Sequence, residues 1–330
     1  MGALDGRVVV ITGAGRGLGR EYALLMAAEG AKVVVNDLGG GPDGGGADTG
    51  PAHDVVEEIE ALGGEAFAST DDITDWEGGK RLVEQAVTHF GDLHVLINNA
   101  GILRDRRLVN MTEEEWDSVM RVHLRGHFVP SRWAAAYWRD QMKQGRQLKA
   151  ALINTASGSG LLGNIGQANY AAAKAGITAF TMVAAMELAQ YGVRCNVLAP
   201  YARTRLTLQT PGMDALVKAP DDPAAFDVWD PANVAPVVAY LATEDCPISG
   251  AVLHVGGGEV GLFRGWDLVD VIHTDGRFTI GELAQKASKL LEGRPRFPSV
   301  ALTMEEMGAG FVARHTAGAQ TEGGLSGRLH

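Results

Sequence analysis

Residues 7–37 read RVVVITGAGRGLGREYALLMAAEGAKVVVND. RVVVIT (7–12) is a β-branched run bounded by turn residues, the pattern of a strand buried on both faces. GAGRGLG follows, then REYALLMAAEG with helical periodicity, and then AKVVVND, a second apolar strand that ends in Asp37. A strand, a glycine-rich turn, a helix and a second strand within about thirty residues make a βαβ unit. Glycines at Gly13, Gly17 and Gly19 let the chain turn tightly. They also let a pyrophosphate reach backbone N–H groups at a helix N-terminus. The spacing is GxxxGxG rather than GxGxxG, so its place between strand and helix carries the inference of nucleotide binding.

The alternation continues along the chain. Helix patterns fall at VVEEIEALGG, at GGKRLVEQAVTHFG, over residues 112–128, and at YAAAKAGITAFTMVAAMELAQYG. Strand patterns fall at EAFAST, LHVLINNAG, ALINTAS, VRCNVLAP and GAVLHVGGG, which is read as the last. Strands alternating with helices predict an α/β fold, a doubly wound parallel sheet with helices on both faces. Ligands then bind beyond the carboxyl ends of the strands. Residues 38–53, LGGGPDGGGADTGPAH, read as a long glycine-rich loop that is mobile or packs beside the cofactor. The sheet domain is expected over 1–260. A C-terminal extension over 261–330 follows, with a helix at TIGELAQKASKLLEG and a disordered end from HTAGAQTEGG onward.

Composition excludes several classes. The 330 residues carry a net charge of −11, against the basic face of a nucleic-acid binder. Cys195 and Cys246 form no CxxC pattern, so neither a disulfide framework nor a zinc site is expected. The N-terminus lacks the order of a secretory signal, and no run reaches the roughly 18 apolar residues of a membrane span. A cytoplasmic protein is therefore expected. His123 and His127 stand four apart, but without HExxH no metal is expected. Ser159 lies between Gly158 and Gly160, yet position 157 is Ser, so the GxSxG frame of a serine hydrolase is missing.

The chemistry-bearing set is Ser157, Tyr170 and Lys174. Tyr170 and Lys174 are four apart on one helix and share a face. Hydride transfer between an alcohol and a ketone needs a proton partner, and a free phenol has a pKa near about 10. A neighbouring ammonium lowers that value and makes Tyr170 a usable acid or base. Ser157, at the end of ALINTAS, is placed to hold the substrate oxygen. A nucleotide-binding module without catalysis would keep the glycine turn and lose this set. For the cofactor, Asp37 can accept from the adenosine ribose hydroxyls and would repel a 2′-phosphate, favouring NAD, whereas Arg16 argues the other way. Asp72 and Ile73 are read as the adenine side. Asn99, Ala100 and Gly101 let the cofactor lie close to the backbone, with Asn98 making a structural hydrogen bond.

These residues resemble the short-chain dehydrogenase/reductase family, a Rossmann-like fold, over about residues 5–260. TGAGRGLG, DIT, NNAG and the Ser–Tyr–Lys arrangement fall in family order. The resemblance implies Ser157, Tyr170 and Lys174 as the catalytic set. It implies a nicotinamide cofactor held by Gly13, Arg16, Gly17, Leu18, Gly19, Asp37, Asp72, Ile73, Asn99, Ala100, Gly101, Tyr170, Lys174, Pro200 and Thr204, and a homodimer or homotetramer. VVVNDLGG, NNAGILRDR, RVHLRGHF and GQANYAAAKAG are similar to the (3R)-hydroxyacyl-CoA dehydrogenase unit of peroxisomal multifunctional enzyme type 2. They are similar also to bacterial dehydrogenases of steroid side-chain degradation. That implies NAD-dependent oxidation of a 3-hydroxyacyl-CoA, with a hydratase as a separate partner. A 17β-hydroxysteroid dehydrogenase and a 3-oxoacyl reductase are the alternatives.

Two places depart from the family pattern. VHLRGHF puts His123 where many members carry Asn, so the Asn role in a proton relay is not carried over, and a packing or backbone-bonding His is expected. APYARTR puts Tyr201 where a small Gly is common, while Pro200 and Thr204 remain beside the nicotinamide. Arg104, Arg106, Arg107, Arg203 and Arg205 flank the expected crevice and are read as partners for the phosphates of a coenzyme A ester or as ordinary surface charge. Residues 206–230 form a lid or a dimer surface.

Overall fold

The computed structural model describes residues 2–210, 213–265, 271–286 and 289. One compact unit spans residues 1–161 and 165–265, and a second holds 162–164 and 266–330. In the first unit β1 (Val8–Thr12), α1 (Gly17–Ala28) and β2 (Lys32–Asn36) form the βαβ unit, with Asp37 just past the second strand. Next come α2 (Gly50–Ala61), β3 (Glu65–Ser69), α3 (Trp76–Phe90) and β4 (Val95–Asn98). The central part holds α4 (Glu113–Met120), a π-helical turn (Arg121–Arg125), α5 (Gly126–Lys143) and β5 (Ala150–Thr155). Then follow α6 (Gly158–Leu162), α7 (Ala168–Leu188), β6 (Val193–Pro200), α8 (Arg205–Gln209), α9 (Met213–Leu216), α10 (Ala235–Ala242), β7 (Val252–Gly256) and β8 (Glu259–Leu262).

The strands lie in the order β3-β2-β1-β4-β5-β6-β7-β8. All pairs are parallel except β7 with β8. Alternate strand residues serve opposite faces. Val9, Ile11, Val33 and Val35 pack with Tyr22 and Met26 of α1, Val55 and Ile59 of α2, and Val238 and Leu241 of α10. Val8, Val10, Val34, Leu96 and Leu152 pack on the other face with Leu82 of α3, Trp138 of α5 and Ala184 of α7. Burial on both faces is why these strands read as continuous apolar runs. The chain order reverses between β1, which pairs with β2 on one side, and β4 on the other. That reversal opens a crevice above the carboxyl ends of β1 and β4.

Several boundaries differ from the sequence reading. The helix expected over 112–128 continues through the π turn to Lys143, past Pro130. Pro130 lies in the first turns of α5, near the loosened π turn, where its missing N–H is tolerated. GAVLHVGGG does not end the sheet: the Gly257–Gly258 turn, with both φ positive, folds β8 back onto β7. The glycine-rich loop ends at Thr49, because Gly50 and Pro51 already open α2. The loop is pinned: Leu103 N–H donates to the Pro42 carbonyl at 3.0 Å, and Asp48 N–H to the Leu38 carbonyl at 3.0 Å. In the second unit α11 (Ile280–Lys286) covers the first part of the expected helix, and the expected disordered end lies outside the described residues.

The stretch Ala168–Tyr191 is long and apolar enough, by length and composition, to cross a membrane. Here α7 buries Ala173, Ile177, Thr181, Ala184 and Leu188 and lies along β5 and β6. Its opposite side carries the exposed apolar side chains of Met182, Val183 and Met186.

Candidate active site

Above β1 the chain turns through Gly13 (φ +65°) and Gly17 (φ +53°), left-handed positions that favour glycine. A Cβ on Gly13 would lie 2.7 Å from the Ala100 Cα, and one on Gly19 would lie 2.2 Å from the Gly13 carbonyl oxygen. The turn is thus wedged against the end of β4. Thr12 Oγ1 accepts from the backbone N–H of Asn99 (3.0 Å) and Ala100 (3.2 Å). Asn99 Nδ2 donates to the carbonyls of Thr12 (3.2 Å) and Gly13 (3.1 Å). Arg16 precedes α1 in extended conformation and makes no side-chain cap, so the first N–H groups of this twelve-residue helix have no capping side chain. Leu18 packs against the core and holds the helix start in place.

Asp37 is held by two backbone donors, Gly15 N–H to Oδ2 at 2.8 Å and Gly39 N–H to Oδ1 at 2.7 Å. Its carboxylate therefore stands fixed beside the glycine turn. Thr204 caps α8 and lies over the turn, its Cγ2 3.6 Å from a Cβ placed on Gly17. Arg205 feels the charges of both Arg16 and Asp37. An uncapped helix start, a glycine floor that no Cβ can enter and an oriented carboxylate together fit a dinucleotide. Asp72 and Ile73, which the sequence assigns to the adenine side, are placed differently from each other. Asp72 Oδ1 accepts from Thr74 N–H (2.8 Å), whereas Ile73 is buried toward Gly126 at the start of α5. Asn98 makes its structural bonds, donating from Nδ2 to Ser131 Oγ (2.9 Å) and Asn154 Oδ1 (2.8 Å).

Ser157, Tyr170 and Lys174 converge two strands away. Ser157 follows the end of β5, its Oγ accepting from Ser159 N–H at 3.2 Å, and its hydroxyl is close enough to the Tyr170 phenol to act on its titration. Lys174 Nζ lies 5.6 Å from the centre of the Tyr170 ring and donates to the Thr155 carbonyl at 2.6 Å. Burial sets both protonation states. It pushes the Tyr170 phenol up to about 12, with the nearby Ser157 hydroxyl opposing the rise and the Asp105 charge adding to it. It draws the Lys174 amine down to about 7. The same desolvation that raises the phenol also draws down the amine, so burial outweighs the lowering of Tyr170 by Lys174 expected from sequence.

His123 sits in the π turn, fully buried, with Nε2 2.7 Å from the Ile102 carbonyl oxygen and 3.1 Å from its nitrogen. Its ring stands edge-on to Tyr170, with centroids 5.0 Å apart. Burial holds it well below the usual histidine range, so it is neutral. A Cβ on Gly101 would lie 2.4 Å from its Cε1, which gives Gly101 a packing reason beyond the cofactor.

Sequence reasoning missed a second ring of residues. Asn169 Nδ2 donates to the carbonyls of Arg104 (3.0 Å) and Glu115 (2.8 Å), and its Oδ1 accepts from Tyr170 N–H at 2.8 Å. Gln167 Nε2 donates to Asp105 Oδ2 at 2.8 Å, and Arg106 N–H to the Gly166 carbonyl at 2.7 Å. These bonds dock the segment after β4 onto the start of α7 and thereby set Tyr170. Isolated amides at a helix start carry no periodic signal. Two of the arginines flanking the crevice are already engaged, Arg106 with Glu115 (3.0 Å) and Arg203 with Asp227. Tyr201 points toward β7, its hydroxyl donating to the Gly256 carbonyl (2.6 Å) and its ring stacked on His254 at 4.7 Å. Among the described residues no group of three or more His, Cys, Asp or Glu is placed to hold a metal.

The model of the short chain dehydrogenase family matches residues 7–210. The chain is 45% identical over 284 residues to the hydroxyacyl-CoA dehydrogenase ChsB1 of Mycobacterium tuberculosis, covering 84% of this chain and 83% of that protein. It is 41% identical over 301 residues to the peroxisomal hydratase-dehydrogenase-epimerase of Neurospora crassa, covering 89% of this chain but only 31% of that longer protein. A crystal structure of a short chain dehydrogenase from Mycobacterium avium superposes with a TM-score of 0.80 at 45% identity, over 90% of this chain and 99% of that one. The expectation of a cytoplasmic protein does not stand, since several of these relatives are named as peroxisomal enzymes. A parallel sheet with its glycine turn at the switch point, matched by the family model and by full-length bacterial relatives, shows that the chain belongs to the short-chain dehydrogenase family of NAD(P)-dependent oxidoreductases.

Proposed function

We propose that this chain oxidises a 3-hydroxyacyl-CoA to the 3-ketoacyl-CoA with NAD, and that Ser157, Tyr170 and Lys174 carry the chemistry. The observation behind this reading is the placement of Lys174 Nζ 5.6 Å from the ring of Tyr170, whose phenol Ser157 also acts on, beside a glycine cradle that fits a dinucleotide. The bound nicotinamide supplies the hydride acceptor. Ser157 orients the substrate hydroxyl, and Tyr170, as phenolate, takes its proton. Lys174, when charged, favours that phenolate. An amine that gains or loses its proton near neutrality is suited to such a task.

NAD rather than NADP is favoured by Asp37, whose fixed carboxylate would repel a 2′-phosphate. Gly13, Arg16, Gly17, Leu18, Gly19, Asn99, Ala100 and Gly101 line the pyrophosphate side, with Pro200 and Thr204 above. Asp72 and Ile73 are assigned to the adenine. For the substrate, Arg104 keeps a buried Nε with no hydrogen-bond partner among the described residues, and Arg107 is exposed. Both are suited to phosphate oxygens. Exposed Leu108 and Val109 follow them and offer apolar surface to an acyl chain.

Relatives named hydratase-dehydrogenase-epimerase are matched over about a third of their length or less, which fits a dehydrogenase step served by a hydratase outside the matched region. The exposed residues Phe128, Met182, Val183 and Met186 on α5 and α7 fit a homo-oligomer. Initial NADH formation tests the substrate, using a medium-chain (3R)-hydroxyacyl-CoA, a steroid side-chain 3-hydroxyacyl-CoA and a free 17β-hydroxysteroid. Preference for a CoA ester supports the reading and names the acyl class. Turnover of the free steroid alone overturns it.

A further inference from the structure

Behind Lys174 lies a cluster of buried polar atoms that the reaction above does not use. Asn98 Oδ1, His123 Nδ1 and both ring nitrogens of His127 are buried without a hydrogen-bond partner among the described residues. Folded proteins leave few such atoms, and each asks for a reason. These belong to one neighbourhood. Asn98 Nδ2 reaches the His127 carbonyl at 3.3 Å, and His127 follows His123 by four residues across the π turn. The His127 ring is directed toward the carbonyls of His123 and Thr155, and the Thr155 carbonyl is the acceptor of Lys174. The ammonium and the imidazole therefore face one shared backbone oxygen. π turns recur at functional sites, because they displace carbonyls from the regular helical ladder.

The donor count leaves room for a partner. Lys174 as an ammonium has three N–H groups, and the Thr155 carbonyl accepts one. Burial and the Lys174 charge keep His127 neutral, so its ring offers one donor and one acceptor. The titratable groups around the amine are Tyr170 on its own helix, His123 in the π turn and His127 on α5. Asp105 acts on Tyr170 from the segment after β4.

We propose that His127 is a positioning residue for proton transfer at Tyr170: its imidazole, directly or through one buried water, accepts a hydrogen bond from Lys174 and holds the amine as an ammonium. This rests on the roles of Tyr170 and Lys174 given above. His127 acts on the substrate only through them. Its other nitrogen faces the His123 and Thr155 carbonyls, and the polar wall at Asn98 supplies the further partners that a buried water needs.

The test compares His127→Met, similar in size but without the acceptor, with His127→Gln, which keeps one. Both are measured as full chains with NAD and the preferred substrate. The methionine variant is expected to keep the parental KM and NAD affinity. The rising limb of its kcat–pH profile moves up by about one unit, so turnover at neutral pH falls about tenfold. The glutamine variant restores most of that loss. A methionine variant with the parental profile overturns the inference. Should the methionine variant not fold, 15N-labelled histidine in the parent enzyme decides: His127 ring resonances that move as Lys174 titrates support the contact, and resonances indifferent to it overturn it. An active Tyr170→Phe enzyme would instead sink the reading of Tyr170 itself. An inactive one, with an unchanged methionine variant, removes only the role of His127.

Discussion

The imidazole of His123 stands perpendicular to the ring of Tyr170, with an interplanar angle of 89° and centroids 5.0 Å apart. His123 is itself tied to the backbone of Ile102, so the aromatic face of Tyr170 rests on a fixed support. Edge-to-face pairs of this kind add to the stability from burial alone. His123→Ala is therefore expected to destabilise the fold by about 2–4 kcal/mol, through the lost packing and an unpaired buried carbonyl. Chemical denaturation measures this. Unchanged stability would mean that the ring is not supported in this way.

Tyr170→Phe keeps the ring, the His123 contact and the shape of the site, and removes only the hydroxyl. Turnover is expected to drop by about 10²–10⁴-fold. NADH binding, followed by fluorescence, stays within a few-fold of the parent. Parental turnover in this variant would refute the assignment of the proton-transfer group.

Lys174 predicts a pH dependence of stability. Its folded value of about 7 lies below the usual 10.5. Between these values the unfolded chain holds the extra proton, so stability contributed at this site rises with pH across that window. Below about pH 7 both states are protonated, and the cost of burying the charge is felt in full. Lys174→Met should flatten this part of the stability–pH curve and raise stability at pH 7 by about 1–3 kcal/mol, while abolishing turnover. Denaturant titrations at several pH values check the slope.

Asp37 is positioned by the N–H groups of Gly15 and Gly39, and Arg205 lies within reach both of its charge and of Arg16. Asp37→Ser removes the repulsion of a 2′-phosphate and leaves both cations. The ratio of kcat/KM for NADP over NAD is expected to rise by roughly 10–100-fold, about 1.4–2.8 kcal/mol. An unchanged ratio would show that cofactor choice is made elsewhere.

Much of the molecule is legible in the sequence because its information is local. A strand buried on both faces must be apolar throughout, a turn under a phosphate must be glycine, and residues four apart on a helix must share a face. From these follow the strand order along the chain, the glycine turn, Asp37, and the approach of Tyr170 to Lys174. Ser157 needed one further step, its place at the end of β5. The boundaries that were misread depend on contacts far apart in the chain. β8 exists because β7 offers an edge to pair with, and the helix passes Pro130 because a π turn has already loosened its ladder.

What only the tertiary structure decided is charge and partnership. Arg106 and Arg203 read in the sequence as phosphate partners or as ordinary surface charge, and folding brings Glu115 and Asp227 to them. Lys174 reads in the sequence as a cation that lowers Tyr170, but burial in the folded core draws the amine down to about 7 and raises the phenol. Asn169 and Gln167 look like loop amides until the segment after β4 docks on them. Residue type and spacing determine which elements form and which side chains share a face. Desolvation and hydrogen-bond partners come from neighbours distant in sequence, so protonation states and the pairing of polar groups are set only when the chain has folded.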